Sequence, residues 1–304
     1  MCAITGIISN SVQNKKEILQ KMNKVVAYRG PDGQGKYFFG RCGLGHRRLS
    51  IIDLKTGDQP MISFDGKKGV VFNGEIYGYK EIKNNLTDYK FRTSSDTEVI
   101  LALYEKYGDD FVKKLPGIFA FALWDDKEKK LLCVRDRFGE KPLYYAIGKG
   151  GEFVFASEIK SILSSGLINP ILDKESLTHY LKRLYVHPHK TIYKNIFTLP
   201  PAHLLIYKNE KIITERYWQI PEIKNLITLE EAVPEFKKLL HKAGEKQLIA
   251  DVPVGAFLSG GLDSSTIVAI ASQYKKGIKT FSFAFRDSIN ELSFAREIAQ
   301  KYGT

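Results

Sequence analysis

The sequence predicts a layered α+β domain followed by the beginning of an α/β domain with a parallel sheet. Short runs of β-branched and aromatic residues, each bounded by Gly, Asp, Asn or Lys, recur up to Ala156 with few helical patterns among them. Proline then interrupts regular structure between Asn195 and Asn225, and strand and helix patterns alternate after it. We therefore expect one domain at 2–190 and a second at 228–304, joined by a linker and interface segment at 191–227.

The first domain is expected to contain two helices among its strands. Apolar residues at helical spacing predict a helix over Lys15–Val26. The residues Ser95–Glu98 form a capping-box pattern for a second helix, which Gly108 should end. Six strands are predicted around these helices: Leu49–Ile52, Val70–Phe72, Phe119–Trp124, Leu131–Val134, Leu143–Ile147 and Phe153–Ala156.

The second domain should begin with a helix near Thr228, because Thr228 and Glu231 form another capping-box pattern. Pro234 would break a backbone hydrogen bond of that helix, so its start could instead lie nearer Pro234. The chain then alternates between strand and helix, at Val254–Leu258, Ser264–Ser272, Thr280–Phe285 and a last helix through Phe294 and Ile298. Two strands cannot bury both faces of a parallel sheet, so this domain is expected to be incomplete.

Composition excludes several classes of protein. Apolar residues make up 43% of the 304 residues, enough for two cores, yet no apolar run is long enough for a membrane span. The N-terminal residues do not have the pattern of a signal peptide, so we expect a cytoplasmic protein. The net charge of +12 could suit nucleic acid, but the lysines are scattered, and we favour a generally basic surface without nucleic-acid binding. Cys42 and Cys133 stand singly among apolar residues and are predicted to lie in the core.

Cys2 is the strongest single candidate for catalysis. Removal of Met1 would leave a thiol and a free α-amine on one residue, so the amine could take the thiol proton near neutral pH. A chance Met-Cys start is the alternative, and the rest of the sequence decides between the two readings.

A second candidate site is the segment Ser259-Gly260-Gly261-Leu262-Asp263-Ser264-Ser265, which lies between a predicted strand and a predicted helix. Glycines let backbone N–H groups approach an anion, serine hydroxyls add donors, and a helix N-terminus adds partial positive charge. The segment therefore indicates a phosphate site, although it lacks the lysine of the GxxxxGK[ST] loop. Asp263 is then a candidate for holding Mg²⁺ beside pyrophosphate. The alternative is a Gly-Gly turn with a polar helix cap.

Two sets of motifs resemble known families. The segment Ser259–Ser265 resembles the pyrophosphate loop of the ATP pyrophosphatases, which adenylate carboxyl groups. The N-terminal half resembles the class II glutamine amidotransferases, which are N-terminal-nucleophile hydrolases, and both halves in this order resemble glutamine-hydrolysing asparagine synthetase. The motifs that carry the N-terminal resemblance are Cys2-Ala3-Ile4-Thr5-Gly6, Arg29-Gly30-Pro31-Asp32, Gly45-His46-Arg47-Arg48-Leu49-Ser50-Ile51-Ile52-Asp53, Asn73-Gly74-Glu75-Ile76-Tyr77 and Ser95-Asp96.

The resemblance implies an αββα sandwich for the first domain and roles for its residues. Cys2 would attack the side-chain amide of glutamine, and Asn73 and Gly74 would form the oxyanion hole. Arg48 offers a planar fork for the substrate carboxylate, and Glu75 and Asp96 could hold its ammonium group. The segment Leu49-Ser50-Ile51-Ile52 would complete the glutamine site. Taken alone, Arg48 and Asp96 could be surface ion pairs, and Asn73-Gly74 could be a hairpin turn.

For the second domain, the resemblance implies that Phe257 and Phe285 border the adenine of ATP. The residues Ser259, Gly260, Gly261, Leu262, Asp263, Ser264 and Ser265 would hold the phosphates, with Mg²⁺ at Asp263. Glutamine, aspartate and ATP would be the substrates, giving asparagine, AMP and pyrophosphate. The family allows a homodimer. A segment around Arg135–Tyr145 also matches the family and is interpreted as a structural strand–turn–strand, and His187 and His189 as loop residues.

Three alternatives remain open from the sequence. Family members continue well beyond Thr304, so the resemblance implies a C-terminally truncated chain on which only the glutaminase is complete. A paralogue that amidates another carboxylate would carry the same motifs, because the acceptor residues lie beyond Thr304. A fragment that binds glutamine or ATP without synthesis is the third reading.

Overall fold

The computed structural model describes residues 1–223, 226–284 and 291–304, which divide into a unit at Met1–Ile220 and a second at Pro221–Thr304. The first unit contains two six-stranded antiparallel sheets. Its strands are β1 Ala3–Ile8, β2 Gly33–Phe39, β3 Cys42–Arg48, β4 Met61–Ile62, β5 Lys68–Ile76, β6 Gly117–Asp125, β7 Lys130–Arg135, β8 Tyr144–Ile147, β9 Phe153–Ala156, β10 Ile196–Thr198, β11 His203–Lys208 and β12 Lys211–Arg216.

The two sheets have the orders β10-β8-β9-β1-β3-β2 and β12-β11-β7-β6-β5-β4. Apolar side chains from both sheets form one core, in which Ile4, Leu44, Val71, Trp124 and Phe155 are almost completely buried. Cys42 and Cys133 belong to this core, as the sequence predicts. The sheets therefore pack face to face, with β1 and β5 on facing sheets.

Helices cover the outer faces of the two sheets. Those of the first unit are α1 Lys15–Val25, α2 Tyr79–Asn84, α3 Thr97–Tyr107, α4 Ile159–Ser164 and α5 Lys174–Arg183. A second apolar cluster joins Met22 of α1 and Ile162 of α4 to Val154 of β9. On the other sheet, the ring of Tyr104 on α3 lies 5.9 Å from that of Phe111, which in turn lies 5.8 Å from Phe121 of β6. The result is a four-layer αββα sandwich, the predicted fold class.

The second unit begins the predicted alternation of helix and strand. It contains α6 Leu229–Gln247, β13 Gly255–Phe257, α7 Leu262–Tyr274, β14 Lys279–Phe281 and α8 Leu292–Tyr302. The two strands are parallel, as predicted. Thr228 and Glu231 form the predicted capping box, so α6 begins there and accommodates Pro234 inside it. In the described part of the chain, no helix is long and apolar enough to cross a membrane.

Two expectations about elements are wrong. Leu49–Ile52 is not a strand but a loop after β3. Side chains, and not a neighbouring strand, accept from its backbone N–H groups. Cys2 Sγ accepts from the N–H of Leu49 at 3.3 Å, and the Asp32 carboxylate accepts from the N–H of Ser50 at 2.8 Å. The capping box at Ser95–Glu98 does not form. The buried Glu98 carboxylate instead accepts from the N–H groups of Arg92 and Thr93.

The segment 191–227, expected to be a linker, contributes β10, β11 and β12 to the two sheets. Pro200 and Pro201 interrupt structure between two strands of the first unit, which reaches Ile220. Proline therefore marks a turn within the sandwich at this point. The division into a glutaminase and a synthetase domain at 190 and 228 remains a prediction.

Candidate active site

A cavity of about 110 Å³ opens where β1, β3 and β5 meet the loop after β3. It brings together residues that are far apart in sequence. Eight predicted glutamine-site residues and Cys2 line it: Cys2, Arg48, Leu49, Ile51, Ile52, Asn73, Gly74, Glu75 and Asp96. Ser50 is not in the lining, and its N–H donates to the Asp32 carboxylate. The first unit therefore assembles the predicted constellation in one place.

Cys2 lies directly before β1, and its thiol contacts Leu49 in the loop after β3. The Sγ atom accepts the Leu49 N–H at 3.3 Å and lies 3.6 Å from the Leu49 carbonyl oxygen. Burial raises the pKa of the thiol, and the hydrogen bond from Leu49 opposes that rise only in part. A thiol that remains protonated near neutral pH needs a base to become a nucleophile. While Met1 is attached, the nitrogen of Cys2 is a peptide amide and cannot be that base.

Asn73 is buried at the wall of this cavity and lies inside β5, so the hairpin-turn alternative is wrong. Its side-chain nitrogen Nδ2 is buried and has no hydrogen-bond partner among the described residues. A buried amide without an acceptor costs about 1–3 kcal/mol, so such groups are rare. Nδ2 is therefore an unused donor on a residue that lines the same cavity as Cys2.

The N–H of Gly74 points away from β6, toward the edge of β5. Its neighbour across the sheet is Phe119, whose N–H donates to the Asp136 carboxylate and whose carbonyl oxygen accepts from the Asp136 N–H, on the far side of β6. Gly74 and Phe119 therefore do not bond to each other. The next backbone group of the same orientation on β5 is Ile76, whose N–H donates to Asp96 Oδ2 at 3.0 Å. A Cβ on Gly74 would lie 2.1 Å from the carbonyl oxygen of Ile118. Only glycine fits this close approach.

Arg48 is buried, with 6% of its surface exposed, although its partner Asp58 is largely exposed. The guanidinium lies 3.0 Å from the Asp58 carboxylate and donates to the carbonyl oxygens of Ile52 and Asp53. The surface-ion-pair alternative therefore does not hold for Arg48. A substrate carboxylate could replace Asp58, since an exposed partner is weakly held.

Glu75 and Asp96 place two carboxyl groups in the cavity. Burial raises the pKa of Glu75 to about 8, the charge of Asp96 adds to the rise, and Lys141 opposes it. Burial also raises the pKa of Asp96 to about 6, against the hydrogen bond from Ile76. Two carboxyls that hold protons at mild pH are suited to a cationic ligand, whose charge would favour their ionised forms.

Replacing Glu75 by glutamine should change how stability depends on pH. The folded-state pKa near 8 exceeds the ordinary value of 4.5. The folded chain thus keeps a proton that the unfolded chain loses, and its stability falls as pH rises between these values. Glutamine does not titrate, so Glu75→Gln removes this fall in stability with pH. At pH 8 we expect the free energy of unfolding of Glu75→Gln to be roughly 1–3 kcal/mol higher than that of the original chain, and near pH 4.5 we expect the two to be equal.

Urea unfolding of both chains from pH 4.5 to 8 measures this difference. Glu175→Gln is the control, because the Glu175 side chain is 79% exposed and lies outside the cavity. Parallel stability profiles for Glu75→Gln and the original chain would show that Glu75 titrates normally.

Arg29 and Asp32 support the site in a way that sequence reasoning missed. Arg29 Nε donates to the Cys2 carbonyl oxygen at 3.0 Å, and a Cβ on Gly30 would lie 2.4 Å from the carbonyl carbon of Arg47. Asp32 holds the loop at Ser50. The Arg-Gly-Pro-Asp motif therefore fixes both the backbone of Cys2 and the loop after β3. The motif itself was the available signal.

Lys141 also lines the cavity, and it too was missed. It follows a turn in the predicted strand–turn–strand, which β7 and β8 confirm. The buried Asp136 carboxylate orders this turn by accepting the N–H groups of Phe138, Glu140 and Lys141 at 3.0 Å each. A lysine after a turn is too common in sequences to indicate a site.

The predicted phosphate loop lies in the second unit, between β13 and α7. Gly260 has φ 89°, and a Cβ there would lie 2.8 Å from that of Phe294. The hydroxyls of Ser259 and Ser264 are 2.9 Å apart. Ser265 Oγ is buried without a partner among the described residues, while Asp263 in the first turn of α7 is exposed.

The other residues assigned to the ATP site lie in or near this loop. Leu262, the first residue of α7, is exposed, and Gly261 precedes it. Phe257 is 71% exposed on β13, with the ring of Phe283 at 5.7 Å. The predicted partner Phe285 lies outside the described residues.

His187 and His189 lie in the loop after α5, as predicted. Over residues 1–223, 226–284 and 291–304, no three His, Cys, Asp or Glu side chains are grouped as metal ligands. A metal at Asp263 would therefore need further ligands from a substrate.

The αββα sandwich, with Cys2 directly before the central strand β1, is a fold that a solved amidotransferase also has. A solved structure of glutamine phosphoribosylpyrophosphate amidotransferase from B. subtilis, in complex with ADP and GMP, shares it with a TM-score of 0.54, over 94% of this chain and 67% of that one. At 20% identity this similarity concerns the fold alone. The family model described as a glutamine amidotransferase domain matches residues 1–218, and that described as asparagine synthase matches 235–304.

The chain belongs to the glutamine amidotransferase family, and the order of the two matches confirms its resemblance to glutamine-hydrolysing asparagine synthetases. A putative asparagine synthetase [glutamine-hydrolyzing] 2 of Methanocaldococcus jannaschii is 38% identical over all of this chain and 64% of its own length. Asparagine synthetase [glutamine-hydrolyzing] 1 of Bacillus subtilis is 36% identical over all of this chain and 49% of its own. Amidase chry2 of Gibberella zeae is 36% identical over 92% of this chain and 44% of its own length. The chain thus spans between 44% and 64% of the length of these relatives.

Proposed function

We propose that the first unit hydrolyses glutamine to glutamate and ammonia. The observation that carries this proposal is the unpaired, buried Asn73 Nδ2 in the same cavity as the Cys2 thiol. A donor without an acceptor is costly in the free protein and becomes favourable when a substrate oxygen gains negative charge. The Gly74 N–H would be the second donor to that oxygen.

The reaction follows from the groups at the site. After removal of Met1, the Cys2 α-amine takes the thiol proton, and Sγ bonds to the side-chain carbonyl carbon of glutamine. The carbon–nitrogen bond then breaks, the ammonium form of the amine protonates the leaving nitrogen, and a thioester remains. Water attacks the thioester to release glutamate and restore the thiol. Arg48 would hold the α-carboxylate of glutamine, and Glu75 and Asp96 its α-ammonium. Leu49, Ile51 and Ile52 would form the wall beside them.

Glutamate release from glutamine, measured for protein whose lack of Met1 is confirmed by intact mass, tests the proposal. Release with saturation kinetics supports it. Absence of release from the processed protein would contradict it and would favour a binding role for this cavity.

We further propose that the whole protein uses this ammonia to make asparagine from aspartate, with ATP converted to AMP and pyrophosphate. The loop Ser259–Ser265 would hold the phosphates, because Gly260 allows close approach and Ser265 Oγ is a buried donor without an acceptor. Asp263 would hold Mg²⁺ together with phosphate oxygens. Phe257, exposed on β13, and Phe285 would border the adenine.

Amidation of another carboxylate is a second candidate, because one relative of similar identity carries the name amidase and not asparagine synthetase. Pyrophosphate release in the presence of glutamine, ATP and Mg²⁺ distinguishes the two when aspartate and other carboxylates are offered in turn. Release with aspartate alone supports asparagine synthesis, and release with a different acid alone would overturn it.

A cytoplasmic location and a homodimer without nucleic acid or membrane partners complete the proposal. Sedimentation at several protein concentrations tests the dimer. Salt-dependent binding to DNA or RNA would contradict the absence of nucleic acid.

A further inference from the structure

On the edge of β5 that faces away from β6, two side chains take the backbone groups of Phe72. Its N–H donates to Gln59 Oε1 at 2.6 Å, and its carbonyl oxygen lies 3.0 Å from His46 Nε2. Both partners are buried, with Gln59 8% exposed and His46 fully covered. Burial lowers the pKa of His46 to about 3, so the imidazole is neutral and Nε2–H donates to the carbonyl. The peptide groups on both sides of Phe72 are thereby fixed.

This arrangement lies at the strand edge that faces the cavity. The neighbouring strand β4 pairs with β5 at Gly69 and Val70. Further along the same edge, side chains take the alternate backbone N–H groups: Gln59 takes that of Phe72, and Asp96 that of Ile76. The Gly74 N–H lies between these two and has the same orientation, because backbone direction alternates along a strand.

Gln59 is itself held in one orientation. Its Nε2 donates to Thr97 Oγ1 at 3.2 Å, which leaves Oε1 for Phe72. Thr97 is the first residue of α3, directly after Asp96. Gln59 and Thr97 both line the cavity. The Gln59 amide therefore connects β5, immediately before Asn73, to the start of α3.

We propose that Gln59 is a positioning residue for the oxyanion hole, which orients β5 so that Asn73 and the Gly74 N–H meet the substrate oxygen. This inference rests on the proposed glutamine hydrolysis. Oxyanion donors act only when they lie about 2.7–3.1 Å from the developing charge, and a misplacement near 1 Å can cost about 100-fold in rate. Without the Gln59 acceptor, the peptide between Val71 and Phe72, which directly precedes Asn73 along β5, is free to tilt. Substrate binding through Arg48 and Glu75 does not depend on that peptide.

Gln59→Met tests this role, because methionine keeps the length of the side chain and removes the acceptor. We expect kcat for glutamate release to fall about 10- to 100-fold with KM changed less than about threefold, and the rate of Cys2 alkylation by iodoacetamide to stay unchanged. In an Asn73→Ala background the same change should cost much less, because both act through one oxyanion hole. Thr97→Val, which frees the Gln59 amide and keeps the shape of residue 97, should lower kcat in the same direction.

Ser161→Ala is the matched control, because Ser161 is buried on α4 and donates to the Met22 carbonyl oxygen at 2.9 Å, outside the cavity. It should leave kcat unchanged despite the loss of a buried hydrogen bond. If the original chain is active, each of three results overturns this inference and leaves the proposed function intact. The first is an unchanged kcat in Gln59→Met. The second is full additivity of the kcat losses of Gln59→Met and Asn73→Ala, and the third is a loss of Cys2 alkylation rate in Gln59→Met as large as its loss of kcat. An original chain that is alkylated but releases no glutamate overturns the proposed function, and this inference with it.

Discussion

Cys2→Ala should abolish glutamate release, with a loss of kcat of more than about 10⁴-fold, as is usual when a nucleophile is removed. Alanine has no atom that can form the thioester, and the remaining donors at Asn73 and Gly74 stabilise only a reaction with water. The measurement is glutamate release by processed protein, beside the original chain. We also expect protein that retains Met1 to be inactive, because its Cys2 nitrogen is then an amide.

Cys133→Ala is the matched control for this prediction. Cys133 is buried in the core between the sheets, burial raises its pKa, and it has no place in the cavity. Its replacement should lower stability by the cost of a small cavity and leave kcat unchanged. Glutamine hydrolysis that survived in Cys2→Ala would show that the nucleophile is a different group.

Asn73→Ala should lower kcat by about 100- to 1000-fold, which corresponds to about 2.7–4 kcal/mol of transition-state stabilisation. KM should change little, because the groups proposed to bind the α-carboxylate and α-ammonium of glutamine are elsewhere in the cavity. Stability should be unchanged or higher, since Nδ2 has no partner to lose in the free protein. Steady-state kinetics and urea unfolding on the same preparations measure both effects.

Asn84→Ala serves as the control, because Asn84 is an exposed amide at the end of α2. It should leave both kcat and stability close to those of the original chain. If Asn73→Ala raised KM in proportion to its loss of kcat/KM and left kcat intact, Asn73 would bind the substrate equally before and during the reaction, and the oxyanion role would be wrong.

Much of the fold follows from local patterns in the sequence. The helix at Lys15–Val25, the strand Phe153–Ala156, the end of α3 at Gly108 and the capping box at Thr228 depend on neighbouring residues and were predictable. The loop Leu49–Ile52 was not, because its apolar pattern is that of a strand. Contacts from Cys2 and Asp32, both distant in sequence, determine its conformation.

In the candidate site, too, some residues could be predicted from the sequence and others depend on contacts with distant parts of the chain. Motifs that resemble a known family indicated Cys2, Asn73 and Asp96, which the structure places in one cavity. Lys141 and Gln59 carry no such signal, because their place in the cavity depends on a turn ordered by Asp136 and on a hydrogen bond to the backbone of β5. Reasoning from sequence finds side chains that could react. It does not find those that act by holding a backbone in place.

The edge of β5 has a further consequence for the behaviour of the protein in solution. A row of open backbone groups at a sheet edge can recruit a strand from another molecule and begin aggregation. Gln59 and Asp96 occupy the groups on both sides of Gly74, and both belong to the cavity wall. The cavity wall therefore also blocks intermolecular strand pairing, and a chain altered there could lose solubility together with activity.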